Sequence, residues 1–535
     1  MNPPTPRARR RGALLSAVVL MALVALRPAP AFAQYDKLEG SGSTWSYVIL
    51  QQWIADVSSS GMQVSYNNNG SSQGRKDFAN YVTDFGISEI PYQGVDPVTN
   101  QADTSKRPYA YLPIVAGGTA FTYHVEVGGK LVKSLRLSGE TIAKIFTNKI
   151  TNWNDPQITK DNNGHALPSL PIHPVVRSDG SGTTAQFTRY LDTMYPSIWR
   201  PYNGQAGLTS QFPRKGTQIA ASGSDQVMNT IKGPAGNGTI GYVEYSYPIN
   251  AHYPVVKVEN KAGYFVEPTQ YNVAVALTQA RINQNTSSQD YLTQILDGVY
   301  KYDDPRTYPL SSYSYMLLPI DAADRRMTTG KRQTLADFLT YSLCSGQSKA
   351  GPYGYSPLPL NLVQAGFTQV AKLKAADPKV DLTSRDVTKC NNPTFVAGNL
   401  KANHLAQIAP MPEACDKVGA GPCGTTATPT ATRTTTAATS GGTPVAPTAG
   451  AAPTAGAVPA GTAVDPGAVA AGPGAAPVAT DGGTATDAVA SPYELTADRA
   501  GDRRVFGVTA VLELLAIVLL PGVYVAWLRR RRGAA

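Results

Sequence analysis

The chain reads as an α/β protein, on three observations. Short apolar segments of strand character alternate with stretches whose apolar residues recur at helical spacing. Three of the turns that lead from strand to helix are crowded with glycine and hydroxyl side chains. No internal repeat is visible outside one segment of low complexity.

The ends are set apart by composition. Residues 1–33 carry Arg7, Arg9, Arg10 and Arg11, an apolar run from Ala13 to Leu26, and Ala31-Phe32-Ala33 before Gln34, the pattern of a cleaved secretory signal. Residues 424–504 consist mainly of Thr, Ala, Pro, Gly and Val, too poor in apolar bulk to offset the entropy of ordering, and are expected to form a disordered linker. Val505–Leu528 is almost wholly apolar and long enough to span a bilayer; Arg529–Arg532 follow it, as at the cytoplasmic end of a stop-transfer helix. Glu513 lies inside that span. The expected arrangement is an extracytoplasmic domain on the outer face of a bacterial cell membrane, a single transmembrane helix, and a cytoplasmic tail at 529–535.

The net charge of +10 does not indicate a nucleic-acid partner. Five arginines of the signal (7, 9, 10, 11, 27) and the four at 529–532 account for all but one unit of it. The four cysteines, Cys344, Cys390, Cys415 and Cys423, all follow the signal and suit two disulfides in an oxidising compartment. Of the three pairings, Cys344–Cys390 with Cys415–Cys423 is preferred. A zinc site has less support, since no C-x-x-C pair or histidine at ligand spacing accompanies them.

Within residues 34–423 the elements follow in order. Leu38–Thr44 leads into a helix over Trp45–Val57, where Val48, Ile49, Trp53 and Val57 share a face. Gln63–Tyr66 is a strand, Gln73–Tyr81 a short helix, and Asp84–Ile87 a strand. Pro113–Glu126 is a long strand, and Ser138–Asn148 a helix capped by Ser138. Helices follow at Thr184–Met194 and Ser224–Ile231, then a strand at Thr239–Tyr245. Tyr308–Leu318 alternates as a strand and Gln333–Leu343 is helical.

Chemistry concentrates in the turns. Val175–Thr184 places Arg177, Asp179, two glycines and four hydroxyls just before a helical pattern. Unpaired N–H groups and the positive end of the helix dipole stabilise an anion there, glycine admits close backbone approach, and Arg177 adds a bidentate fork. Gly40-Ser41-Gly42-Ser43-Thr44-Trp45 and Asn67–Gly74 are turns of the same kind. Strand-to-helix turns at the carboxyl ends of α/β strands converge on a ligand crevice. Neither a G-x-x-x-x-G-K-[ST] loop nor a convincing dinucleotide fingerprint occurs, so a small free anion is favoured over a nucleotide. His124, His165, His173, His252 and His404 form no metal-ligand spacing, and no G-x-S-x-G elbow surrounds Ser43, Ser71 or Ser181, which argues against an enzyme.

These residues resemble a known family. Gly40–Trp45 is similar to the G-A-G-A-T-F opening of PstS-type phosphate-binding proteins of ABC importers, and Gly70-Ser71-Ser72 to their G-S-S turn. Asp84–Glu89 resembles their D-F-G-A-S-D, Leu137–Phe146 with Trp153–Pro156 their L-S-G-x-T-L-A-x-I-F…W-x-D, Arg177–Thr183 their R-x-D-G-S-G-T, and Ile240–Tyr245 their I-G-Y-V-E-Y. The likeness runs in order from about Gly40 to Lys372. It implies a two-lobed periplasmic-binding-protein type II fold, with lobe 1 at about 34–112 and 310–423 and lobe 2 at about 113–309. It also implies phosphate binding by Thr44, Trp45, Ser71, Glu89, Arg177, Ser181, Gly182 and Thr183, supported by Ser43, Asp179 and Gly180.

No cofactor, metal or nucleic acid is expected. The implied partners are inorganic phosphate, the permease subunits of a phosphate ABC importer, and the membrane through the C-terminal helix. A membrane-tethered sensor or scavenger of phosphate or another oxyanion, not coupled to transport, is the alternative.

Two departures from the family stand out. Glu89 replaces its aspartate, and Trp45 its phenylalanine. Phosphate near neutral pH still carries a proton and sulfate does not, so a buried carboxylate at position 89 accepts a hydrogen bond from the one and repels the other. No cysteine lies near Gln34 to carry a lipid, and no L-P-x-T-G signal precedes the apolar segment. Residues 375–423 extend past the family-like region and are expected to form a cysteine-stapled cap on the first lobe.

Overall fold

The computed structural model describes residues 35–420, apart from 97, 98, 289, 384, 386, 388, 389, 400 and 401. The signal at 1–33, the linker at 424–504, the apolar segment Val505–Leu528 with Glu513, and Cys423 lie outside the described residues. Among the described residues no helix is long and apolar enough to cross a membrane, and no group of three or more His, Cys, Asp or Glu is placed to hold a metal ion.

Eight strands form one sheet. They are β1 (Leu38–Gly42), β2 (Val64–Asn67), β3 (Phe85–Ser88), β4 (Tyr109–Tyr123), β5 (His173–Arg177), β6 (Ile219–Ala221), β7 (Thr239–Glu244) and β8 (Ser311–Pro319), in the order β6-β5-β7-β4-β8-β3-β1-β2. β1 runs parallel to β2 and β3, and β5 parallel to β6 and β7. These two parallel sets are joined by β4 and β8, which pair antiparallel with each other and with β7 and β3 respectively. The alternation read from the sequence therefore gives parallel strands crossed over by helices, as βα units require.

The 15 residues of β4 serve two cores. Up to Ala116 its side chains lie in a cluster with Leu38, Trp53, Phe85 and Leu339; from Phe121 onward they join Phe146, Phe187 and Tyr242. The changeover falls at Gly117 and Gly118, where a Cβ would stand 3.1 Å from the Trp45 ring or 2.5 Å from Pro268. Only a residue without a side chain lets the strand pass between the two packed units here. The strand begins at Tyr109 and ends at Tyr123, where the sequence pattern suggested Pro113–Glu126.

The helices pack where their apolar faces demand. α1 (Tyr47–Ser58) buries Ile49, Leu50, Trp53 and Val57, three of which belong to the face read from the sequence. α2 spans Ser71–Ala79, starting two residues before the expected Gln73 and so including both serines in its first turn. α3 (Gly139–Phe146) is capped by Ser138, whose hydroxyl accepts from the Thr141 N–H at 3.2 Å. α4 (Gly182–Met194) and α5 (Gly223–Lys232) follow β5 and β6. α6 (Gln270–Leu277) is shared, with Val273 and Leu277 in the first core and Ala276 in the second. α7 (Thr329–Leu343) and α8 (Leu360–Ala376) complete the first unit.

The segment after α8 departs from expectation. Its first part does sit on the first unit: Val380 enters that core, Cys390 is bonded to Cys344 at the end of α7, and Thr394 Oγ1 donates to the Leu358 carbonyl at 2.8 Å. It then crosses. α9 (His404–Ile408) packs on α6, and Arg306 donates to the carbonyl of Ala406 at 3.1 Å. Asp416, buried, receives Arg136 at 2.9 Å and Lys257 at 2.7 Å, both from the second unit, and the Val418 N–H bonds the Gly263 carbonyl at 2.9 Å. A cap on the first lobe alone is therefore the wrong description. Complementary charge draws the end of the segment onto the second unit and makes it a strap. Cys415, next to the buried carboxylate, is also in a disulfide.

Replacing Asp416 with alanine removes the carboxylate that two cations share in a largely dry site. The expected loss of stability is on the order of 3 kcal/mol in equilibrium denaturation. A loss below about 0.5 kcal/mol, the range of ordinary surface changes, would show that the strap does not hold the second unit.

Candidate functional site

The three hydroxyl-rich turns meet at one place, between the two units. The turn after β1 contributes Ser43, Thr44 and Trp45; the start of α2 contributes Ser71; the end of β3 contributes Glu89; and the turn from β5 into α4 contributes Arg177 through Thr183. Ser43, Thr44, Ser71, Glu89, Arg177, Ser181 and Thr183 are each no more than 3% exposed. Their proximity across the gap is direct: a Cβ placed on Gly182 would stand 1.9 Å from Glu89 Oε2 and 2.7 Å from Ser71 Oγ. Backbone bonds join the same loops, with the Ser72 N–H donating to the Gly180 carbonyl at 3.1 Å.

One wall carries the positive charge. Arg177 ends β5, and its Nε donates to Asp179 Oδ1 at 2.7 Å while a terminal nitrogen holds Oδ2. Asp179 is itself fixed by the Gly223 N–H at 2.9 Å. Burial works against the charge of both groups, and their mutual pairing outweighs it. The guanidinium is raised above its ordinary value and the carboxyl lowered below its own. Gly70 adopts a positive φ of 96°, and a Cβ there would stand 2.7 Å from Asp179 Oδ2; glycine is required twice over. Beyond the pair, Ser181 caps α4 by accepting from the Thr184 N–H at 3.2 Å, so Gly182 and Thr183 form the first turn of that helix. Behind Arg177, burial pushes the Tyr242 hydroxyl up to about 12, so it stays neutral; it lies 2.8 Å from Thr184 Oγ1.

The facing wall is organised by Glu89. Ser43 donates to its Oε1, Ser71 to its Oε2 at 2.6 Å, and Ser46 to Oε1 at 3.5 Å. The glutamate carbonyl takes the side-chain amides of Gln186 at 2.7 Å and Gln294 at 3.2 Å. Desolvation is the largest influence on the carboxyl and raises its pKa. The serine bonds and the field of Arg177 lower it, without cancelling that effect. The longer glutamate thus reaches a dry position where it is held by hydroxyls and opposed by burial.

Thr44 and Trp45 differ in what they present. Thr44 Oγ1 reaches across to Ser224 Oγ at 2.9 Å. The Trp45 ring is in the core, edge-on to Tyr355 at 5.8 Å, and its carbonyl accepts from the Tyr355 hydroxyl at 2.8 Å. Any contact Trp45 makes with a bound anion is therefore through its backbone.

Ser46, Gln186, Gln294, Ser224 and Tyr242 were not singled out from the sequence. Gly223-Ser224-Asp225 did carry a signal, a glycine and a hydroxyl at a helix start like the other three turns. Gln186 and Gln294 carry none, being brought to Glu89 by packing alone.

One buried guanidinium neutralised by its own aspartate, a carboxyl opposite, and a ring of neutral donors suit a small, desolvated oxyanion that retains a proton. The raised Glu89 value has a further consequence in the ligand-free protein. Between the ordinary and the raised pKa the native state holds a proton that the unfolded chain has released, so this group costs stability as pH rises through that window. Glu89→Gln should therefore gain on the unaltered protein in thermal denaturation as pH goes from 5 to 8. A difference that is flat or shrinks over that range would contradict the burial argument.

The PBP superfamily domain matches residues 28–345. The phosphate-binding protein PstS of Methanocaldococcus jannaschii is 31% identical over 346 residues, 62% of this chain and 85% of that one. The phosphate-binding protein PstS 2 of Mycobacterium tuberculosis is 31% identical over 335 residues, 60% of this chain and 83% of its own length. Among solved structures, the crystal structure of DING protein aligns with 72% of this chain and 99% of its own at 19% identity and a TM-score of 0.48.

Proposed function

We propose that this chain, which belongs to the PstS family of the PBP superfamily, binds inorganic phosphate with high affinity outside the cytoplasm and delivers it to an ABC importer. The observation that carries the reading is Glu89, buried and held by Ser43 and Ser71, facing the first turn of α4 across the cleft. Near neutral pH phosphate donates its remaining proton to that carboxylate, and sulfate has none to give. For sulfate the site presents an unpaired buried negative charge instead of a hydrogen bond, which is costly.

In this reading Arg177 gives the anion its one formal countercharge, and Asp179 fixes the guanidinium and tempers its charge. Ser181, Gly182 and Thr183 offer donors from the start of α4, Ser71 from the start of α2, and Thr44 with the Trp45 backbone from the turn after β1. Ser43 and Gly180 support them, the first by orienting Glu89 and the second by allowing close approach of Ser72. The lobes are assigned at about 34–116 with 310–395, and 117–309 with the end of the strap at 404–420. The finer placement rests on the sequence: residues 1–33 are removed on export, residues 424–504 form a linker, and Val505–Leu528 anchors the domain to the membrane.

Titration calorimetry of the purified chain tests this. Phosphate should bind at micromolar concentration or below, which needs about −8 kcal/mol or better, and sulfate should give no heat. Arg177→Ala should weaken phosphate by about 100-fold, the scale of a lost charge-assisted contact. Glu89→Gln should narrow the gap between phosphate and sulfate. Equal binding of the two anions by the unaltered chain would sink the proposal.

A further inference from the structure

The turn Gly223-Ser224-Asp225, at the start of α5, touches both sides of the cleft. On its own side the Gly223 N–H holds Asp179 at 2.9 Å, and Ser224 Oγ lies 3.4 Å from a terminal nitrogen of Arg177. On the other side Ser224 Oγ meets Thr44 Oγ1 at 2.9 Å, and Asp225 Oδ2 accepts from Asn68 Nδ2 at 3.2 Å. Ser224 is fully buried and Asp225 only partly, so the two contacts form an inner and an outer pair. Behind the turn Val227, Met228 and Ile231 pack with Val175, Ala221, Val243 and Tyr247 in a small core of their own. Tyr247 donates from that core to the Thr44 carbonyl. The turn is thereby tied to β5, the strand that ends in Arg177, and its hydrogen bonds across the cleft go to the two loops that carry Thr44 and Asn68.

We propose that this turn is a latch, with Ser224 on Thr44 and Asp225 on Asn68, which sets how slowly a bound anion leaves. The proposal rests on the reading of the cleft as a phosphate site. Contacts between lobes form only when the lobes meet, after the anion has entered, so they act on dissociation and leave association nearly untouched. Asp225 is a positioning residue here and does not touch the anion. Its charge faces Arg177, and Lys232 and Tyr247 also lie within reach of its field. A purely electrostatic role would make every neutral replacement of Asp225 behave alike. A latch would not, because asparagine keeps an oxygen to accept from Asn68.

Labelled-phosphate exchange on the full chain, with association and release measured separately, decides this. Asp225→Ala and Asn68→Ala should each speed release about tenfold, the scale of one hydrogen bond, with association changed by less than about twofold. The double alanine variant should release no faster than either single one, because both remove the same contact. Asp225→Asn should release as slowly as the unaltered chain. If Asp225→Ala and Asp225→Asn behave alike, or the effect falls on association, the latch is wrong and charge is the explanation. Normal binding with unaltered release in both alanine variants overturns the latch alone. Absence of phosphate binding by the unaltered chain overturns the phosphate reading and the latch with it.

Discussion

The cleft depends on one ion pair. Arg177 is buried at the end of β5, where an unpaired charge would be costly, and Asp179 two residues later removes that cost. The pairing fixes the guanidinium, and Gly223 fixes the aspartate in turn. Because the charge is already balanced, a second carboxyl at Glu89 can be tolerated opposite. In the proposed reading an anion is held chiefly by neutral donors, and phosphate is told from sulfate by the proton it can give to Glu89.

The scaffold holds two walls at hydrogen-bond distance while letting them belong to separate cores. β4 and β8 run between the cores, and the pair Gly117-Gly118 marks where one packing ends and the other begins. The C-terminal strap is a third link, pinned at Cys390 on one core and at Asp416 on the other. Strap and proposed latch both join the two units, from different places. The first is stapled by a disulfide, and the second joins the turns that carry Thr44 and Asn68.

Much of this was legible in the residues. Glycine and hydroxyls before a helical pattern mark three of the four turns that reach the cleft, and the fourth, Gly223-Ser224-Asp225, has the same make-up. Arg177 reads from the sequence as a fork for the anion and Asp179 as its support, and the structure pairs the two. Periodicity placed most strands and helices but misjudged ends: α2 begins at Ser71, since serines at a helix start look like loop in a hydropathy pattern. α8 is absent from the elements read above, yet Leu362, Val363, Gly366, Val370 and Leu373 lie along one buried face of it. Gln186 and Gln294 reach the Glu89 carbonyl through tertiary packing, which leaves no local trace. The strap's crossing was hidden for the same reason, since the partners of Asp416 are Arg136 and Lys257, 280 and 159 residues away.

In the proposed reading Glu89 meets bound phosphate as a charged acceptor, although burial favours the neutral form of that carboxyl. Infrared difference spectroscopy of phosphate binding near neutral pH, with Glu89→Gln to assign the signal, reads that state directly. With phosphate bound, the difference between the unaltered chain and Glu89→Gln should carry the ionised carboxylate band of Glu89. A carboxylic acid signal from Glu89 that grows on binding would mean that the residue donates to the anion, and would contradict proton acceptance by Glu89 as the means of telling phosphate from sulfate.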